Sequence, residues 1–281
     1  MRLGVSPYGS DRATTLAFAD AVVAAGIDTL WLGDGMFRRP DFAGWRGGLE
    51  SLTELAWLAG RHPTARIGIT AAVLPLRDVD WLAREAATLD HLTEGRFVLA
   101  VAAGFWADEL TYRRIDPARR GAELRLRLHI LQQRLTGDSP LSPEPFTPGG
   151  PPIWLAGAGA TMRLALERDL PYQASRALPD ELAPLAARWF DQGGGLLAHR
   201  IYVEADEGGR GEVPDGVQVE RHVLAGSADR LADGLARYRE IGVGDCSMVL
   251  GHDDASARRT LEVLATGVLP QLNEMLSDVA L

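Results

Sequence analysis

The stretch from Arg66 to Leu110, RIGITAAVLPLRDVDWLAREAATLDHLTEGRFVLAVAAGFWADEL, constrains the fold more than any other part of the chain. Ile67 and Ile69, with the small Thr70, Ala71 and Ala72, form a short apolar run of the kind found in a strand buried on both faces. Leu82, Ala86 and Leu89, flanked by Ala83 and Ala87, then recur at helical spacing, and Thr93-Glu94-Gly95 supplies the turn that stops the helix. Phe97 to Val101 is the next strand. Strand, loop, amphipathic helix, turn and strand in this order make a βαβ unit, whose parallel strands need a crossover helix between them.

The same alternation runs along the whole chain. Strands are expected near Arg2 to Ser6, Thr29 to Leu32, Arg66 to Ala72, Phe97 to Val101, Pro152 to Ala156, Tyr172 to Ser175, Leu196 to Val203 and Cys246 to Leu250. Helices are expected near Thr14 to Ala25, Ser51 to Gly60, Val79 to His91, Ala118 to Leu135, Thr161 to Arg168, Pro179 to Gln192, Ala228 to Ile241 and Asp254 to Glu274. Eight strand–helix pairs in 281 residues predict the α/β class and a single (β/α)8 TIM-barrel domain over residues 1–281, since such barrels take roughly 250 residues. Thr136 to Pro151, rich in Pro, Gly and Ser, reads as a loop joining the fourth helix to the fifth strand, because neither half of the chain carries a full set of strands. Ala205 to Gly216 is a polar excursion after the seventh strand.

Composition narrows the function classes. No apolar run approaches the roughly 20 residues that span a bilayer, and MRLGVSPYG has no basic or apolar leader, so a cytoplasmic protein away from membranes is expected. A net charge of −9 without a basic cluster argues against nucleic acid as a partner. Cys246 is the only cysteine, which precludes an intrachain disulfide and a thiolate-rich metal site. No histidine forms an i, i+4 ligand pair, so no metal is expected, and the absence of lysine rules out Schiff-base chemistry.

The runs VLPLR (Val73 to Arg77) and LDHLTEGRF (Leu89 to Phe97) resemble the luciferase-like flavin-dependent oxidoreductase family. AGIDTLWLGD, PPIWLAGAG and GSADRLADGLARYREIGV carry the resemblance over most of the chain. It implies a luciferase-like TIM barrel using reduced FMN and dioxygen to oxygenate a small organic substrate, with a flavin reductase as a possible partner. It also implies a homodimer through the first helices, with which Trp45 and Trp57 are compatible. Departures are specific: Asp34-Gly35 stands where the family often has Asp-His, and Ala100 and Ala102 stand where its GVGxGW stretch has glycines. A rival within the resemblance is hydride transfer with coenzyme F420, for which Arg176 and Arg38-Arg39 are candidate anion partners. Another is a noncatalytic flavin-binding or partner subunit.

In such a barrel the active site lies at the C-terminal strand ends. Gly157-Ala158-Gly159-Ala160-Thr161 follows an apolar strand and opens a helix, so its free N–H groups and the positive helix end suit a phosphate, and the resemblance assigns it to the flavin phosphate. Ala71, Ala72 and Gly104 end neighbouring strands with small side chains that leave room for a flat ring system. Arg176 is a further cofactor or substrate contact. Tyr8, Phe37, Phe105 and Trp106 offer aromatic walls to a substrate. Glu109 reads first as a loop-fixing carboxylate. For proton chemistry Asp34 and His252 are the candidate catalytic residues, with His222 or solvent as alternatives to His252.

Overall fold

A computed structural model describes residues 1–8, 11–27, 29–37, 49–136, 139–205 and 222–277. Arg38, Arg39, Trp45 and the excursion beyond Ala205 lie outside the described residues. In chain order the elements begin with β1 (Arg2–Val5), α1 (Arg12–Ala24), β2 (Thr29–Leu32), α2 (Ser51–Arg61), β3 (Arg66–Val73), α3 (Val79–Leu92) and β4 (Phe97–Ala102). They continue with α4 (Ala107–Tyr112), α5 (Arg120–Leu135), β5 (Ile153–Ala156), α6 (Gly159–Glu167), β6 (Tyr172–Ser175) and α7 (Pro179–Asp191). The last are β7 (Leu197–Ala205), β8 (Val223–Gly226), α8 (Ala228–Glu240), β9 (Val243–Leu250), α9 (Asp254–Val263) and α10 (Leu269–Ser277). Among the described residues, one compact unit holds 29–37, 49–136 and 139–173, and another holds 1–8, 11–27, 174–205 and 222–277.

In the first unit β2, β3, β4, β5 and the start of β6 pair in sequence order, all parallel. The strands are apolar on both faces, as the crossover helices require. Helix starts follow the capping residues: Asp78 accepts from the Trp81 amide ahead of α3, and Glu50 from the Thr53 amide ahead of α2. Trp31 and Trp154 pack with their rings tilted at 45° and centroids 5.3 Å apart, and the Arg66 guanidinium lies 5.4 and 5.2 Å from those centroids. Gly68, opposite Trp31 in the β2–β3 register, makes room for this layer, because a Cβ there would sit 2.0 Å from the Trp31 ring. Gly68→Ala is therefore expected to destabilise the protein by about 1–3 kcal/mol through overpacking, measured by denaturant unfolding.

The second unit has the strand order β1, β9, β7, β8, again parallel. Two features differ from the sequence expectation. β8 is an additional strand, four residues paired with the end of β7. The helix expected from Asp254 to Glu274 divides into α9 and α10 around a π-type turn, Leu264–Val268. Pro270 cannot donate to the carbonyl four residues back, which accounts for the widened turn. On β7 the side chains alternate. His199 packs against Tyr238 of α8 at 4.9 Å between centroids, so Arg200, Tyr202 and Glu204 occupy the opposite face.

Candidate active site

In the first unit the VLPLR run shows its physical purpose. The Arg77 guanidinium grips Asp34 in a fork, Nε to Oδ2 at 2.9 Å and Nη2 to Oδ1 at 2.7 Å, and reaches Glu50 at 2.7 Å. Asp34 also accepts the Val73 amide at 2.9 Å, so the ends of β2 and β3 and the start of α2 are tied together. Burial alone would lower the Arg77 pKa, but the hydrogen bonds to Asp34 and Glu50 outweigh it and push it up. Glu109, buried in α4, accepts from the amides of Met36 at 2.8 Å and Phe37 at 2.9 Å; it fixes this loop. Phe37 packs edge-on to Tyr112 at 5.2 Å, while Phe105 is exposed and meets Trp106 at 5.9 Å.

Beside these lies a small-residue region. Ala72 is fully buried and Ala71 half-buried on β3. Gly104, at φ +90°, could not carry a side chain without meeting Val73 at 2.8 Å. Thr70 donates to Gln173 Oε1 at 2.5 Å, and Gln173 Nε2 is buried without a partner.

The Gly157–Thr161 loop runs from β5 into α6. The Tyr172 hydroxyl donates to the Gly157 carbonyl at 2.5 Å, and a Cβ at Gly157 would lie 2.6 Å from Thr161 Oγ1. Ala158, the N-cap of α6, supplies no side-chain cap, and nothing lies within 4 Å of the place a Gly159 Cβ would take. The Gly157 amide donates to the Gln173 carbonyl at 3.2 Å and the Thr161 amide to the Ala158 carbonyl at 2.8 Å, so the open space lies beside Gly159 at the helix start.

The second unit gathers the other candidates. His252 Nδ1 lies 2.6 Å from Glu204 Oε1, both groups being mostly buried. His222 faces Glu181 at 3.1 Å in a more exposed position. Arg176, at φ +63°, ends β6 in a left-handed conformation that a non-glycine residue rarely adopts, and its amide donates to the Arg200 carbonyl at 3.0 Å. Tyr8 accepts from Arg200 Nη2 at 3.3 Å, and Ser247 accepts from Arg200 Nη1 at 3.2 Å. His199 is buried against Ala177, and burial pulls its pKa down to about 4, so it stays neutral; burial pushes the Cys246 thiol up, which keeps it inert.

Sequence reasoning missed Arg77, Gln173, Arg200 and Glu204. The signal for Arg200 and Glu204 was present in LAHRIYVEA, where polar residues recur every second position. No group of His, Cys, Asp and Glu able to hold a metal occurs among the described residues, and no described helix is long and apolar enough to cross a membrane.

The family profile described as luciferase-like monooxygenase matches residues 2–192. A 4-hydroxyprotoasukamycin monooxygenase from Streptomyces nodosus subsp. asukaensis is 35% identical over 145 residues, 48% of this chain and 36% of that protein. The chain thus spans just over a third of that curated relative's length. A monooxygenase from Streptomyces bottropensis matches in structure with a TM-score of 0.81 at 16% identity, covering 96% of this chain and 99% of that one. An F420-dependent secondary alcohol dehydrogenase gives a TM-score of 0.76 at 15% identity, with 96% and 98% covered. The oxygenating constituent of 3,6-diketocamphane monooxygenase from Pseudomonas putida, in complex with FMN, gives 0.74 at 18%, with 97% and 98% covered. At these identities the likenesses show the fold, the (β/α)8 barrel that the strand–helix alternation predicts.

Proposed function

The chain belongs to the luciferase-like monooxygenase family, and from that premise we propose that it is an FMN-dependent monooxygenase acting on a small organic substrate with reduced flavin and dioxygen. The observation that carries this reading is the start of α6. Gly159 opens onto free space and the helix has no side-chain cap. The Gly157 to Thr161 loop therefore fits a flavin phosphate through the positive helix end and the amides between Gly157 and Thr161, whose own amides serve the Gln173 and Ala158 carbonyls. Ala71, Ala72 and Gly104 fit the flat ring, with the unpartnered Gln173 amide as a donor in the same unit. The flavin, when bound, supplies the activation of dioxygen.

The chain's own groups then bind, orient and handle protons. Asp34 has both oxygens engaged by Arg77 and Val73, which suits it to positioning the β2 and β3 ends. Phe37, Phe105 and Trp106 line the substrate with aromatic surface, and Trp106 and Phe105 exclude water from it. His252, held by Glu204, gives or takes the proton. Reduced flavin comes from a separate reductase, in a cytoplasmic setting, and the enzyme works as a homodimer.

A second reading, F420-dependent hydride transfer, is favoured by the nearly equal likeness to the F420-dependent alcohol dehydrogenase. Arg176 would then meet the deazaflavin's acidic tail. Titrating the purified protein with FMN, reduced FMN and F420 separates the two. Gly159→Leu is expected to weaken binding of the preferred cofactor at least about tenfold, roughly 1.4 kcal/mol, by filling the phosphate's approach. Unchanged affinity in a folded variant would remove this loop from the site.

A further inference from the structure

Arg200 sits on the face of β7 turned away from α8, and its surroundings are unusual for a half-buried cation. Its partners among the described residues are two neutral hydroxyls, those of Ser247 at 3.2 Å and Tyr8 at 3.3 Å. No carboxylate of the described residues forms an ion pair with it. A guanidinium remains charged at any physiological pH and carries five N–H donors in a planar fork, of which these contacts use two. Taking such a charge partly out of water without an anion is costly, and the cost is removed when an anion joins it.

The surrounding residues leave a place for that anion. Arg200, Ser247 and Gly4 stand side by side in the register of β7, β9 and β1, so on the β9 side the row of Arg200 continues with a hydroxymethyl and a hydrogen, while on the β6 side the Arg176 amide donates to the Arg200 carbonyl. Ser6, just past the end of β1 and two residues beyond Gly4, is 1% exposed, and its Oγ has no partner. Ser247 accepts from Arg200 and keeps its own hydroxyl proton to donate. One fixed positive charge with two hydroxyls bonded to it matches a single planar negative charge. A doubly charged phosphate would ask for a second cation.

We infer that Arg200, with Tyr8, Ser247 and Ser6, forms an anion subsite that takes the carboxylate of an organic substrate. The word substrate rests on the function proposed above; the anion selectivity does not. Tyr8 then serves through its hydroxyl as well as its ring. Glu204 lies four residues further along the same face of β7, about 13 Å at the usual strand rise, so the carboxylate end of the substrate is held well apart from the His252–Glu204 pair.

The test uses benzoate and its neutral counterpart benzamide as probes, titrated calorimetrically into the purified protein. Benzoate is expected to bind at least tenfold more tightly than benzamide, and Arg200→Gln to abolish that preference while leaving FMN affinity within twofold. Arg200→Lys, which keeps the charge without the fork, should lose about three- to tenfold in benzoate affinity. Equal affinity of the wild-type protein for the two probes overturns the subsite whether or not any variant folds. Retention of the full preference in a folded Arg200→Gln variant also overturns it. A protein that binds FMN but shows no benzoate preference fails on this inference alone, whereas one that prefers benzoate yet binds neither FMN nor F420 fails on the proposed function and not on the subsite.

Discussion

Replacing Arg77 with leucine is expected to lower the unfolding free energy by about 3–5 kcal/mol, the range for removing one partner of a buried ion pair and leaving the other charge uncompensated. The Asp34 side chain is only 10% exposed, and its two oxygens take both arms of the guanidinium. Glu50 is half-exposed and adds less. Denaturant unfolding of wild type, Arg77→Leu and Arg77→Leu/Asp34→Asn measures the effect. Neutralising Asp34 should recover part of the loss, and a single-variant cost below about 1 kcal/mol would show that water already screens the pair. The pH dependence has a definite sign. Burial raises the Glu50 pKa, but hydrogen bonds from Arg77 and Thr53 more than offset this and hold it below its ordinary 4.5. Stability from Glu50 is therefore present above about pH 4.5 and fades as the pH falls through the lower folded value. Without Arg77 that acid-side loss should be shallower.

The strand–helix alternation was legible because each element carries its own period: apolar runs for doubly covered strands and i, i+3, i+4 spacing for helices. β8 escaped because Val223–Gly226 is too short to show a period and pairs only with a strand from another part of the chain. The break between α9 and α10 was readable at Pro270, yet the apolar spacing continues through it and masks the widened turn. The candidate site divides along the same line. Gly157 to Thr161 could be proposed as a phosphate loop because a glycine-rich strand-to-helix turn is local chemistry. Arg77 and Arg200 could not be assigned, because what makes each informative is its long-range company: Asp34 and Glu50 for one, two hydroxyls for the other. Asp34 illustrates the difference. As a sequence position it is an acid at a strand end; in the structure its oxygens are already bonded to Arg77 and Val73.

His252→Gln is expected to lower turnover on the organic substrate by about a hundredfold or more, the usual size of a general acid–base contribution, with cofactor affinity nearly intact. With glycine at position 35, directly after Asp34, this imidazole is the proposed proton carrier. Its Nδ1 is fixed 2.6 Å from Glu204, which leaves Nε2 as the ring atom facing other groups, the Asp253 carboxylate at 3.7 Å among them. A carboxylate behind an imidazole orients the ring, so Glu204→Gln should act through His252: turnover falls by a smaller factor, and the pH–rate profile changes shape. A purely structural pair predicts otherwise. Loss of either residue would then lower the melting temperature and leave the pH profile of the surviving enzyme unaltered. Full turnover by a folded His252→Gln variant would assign the proton to solvent.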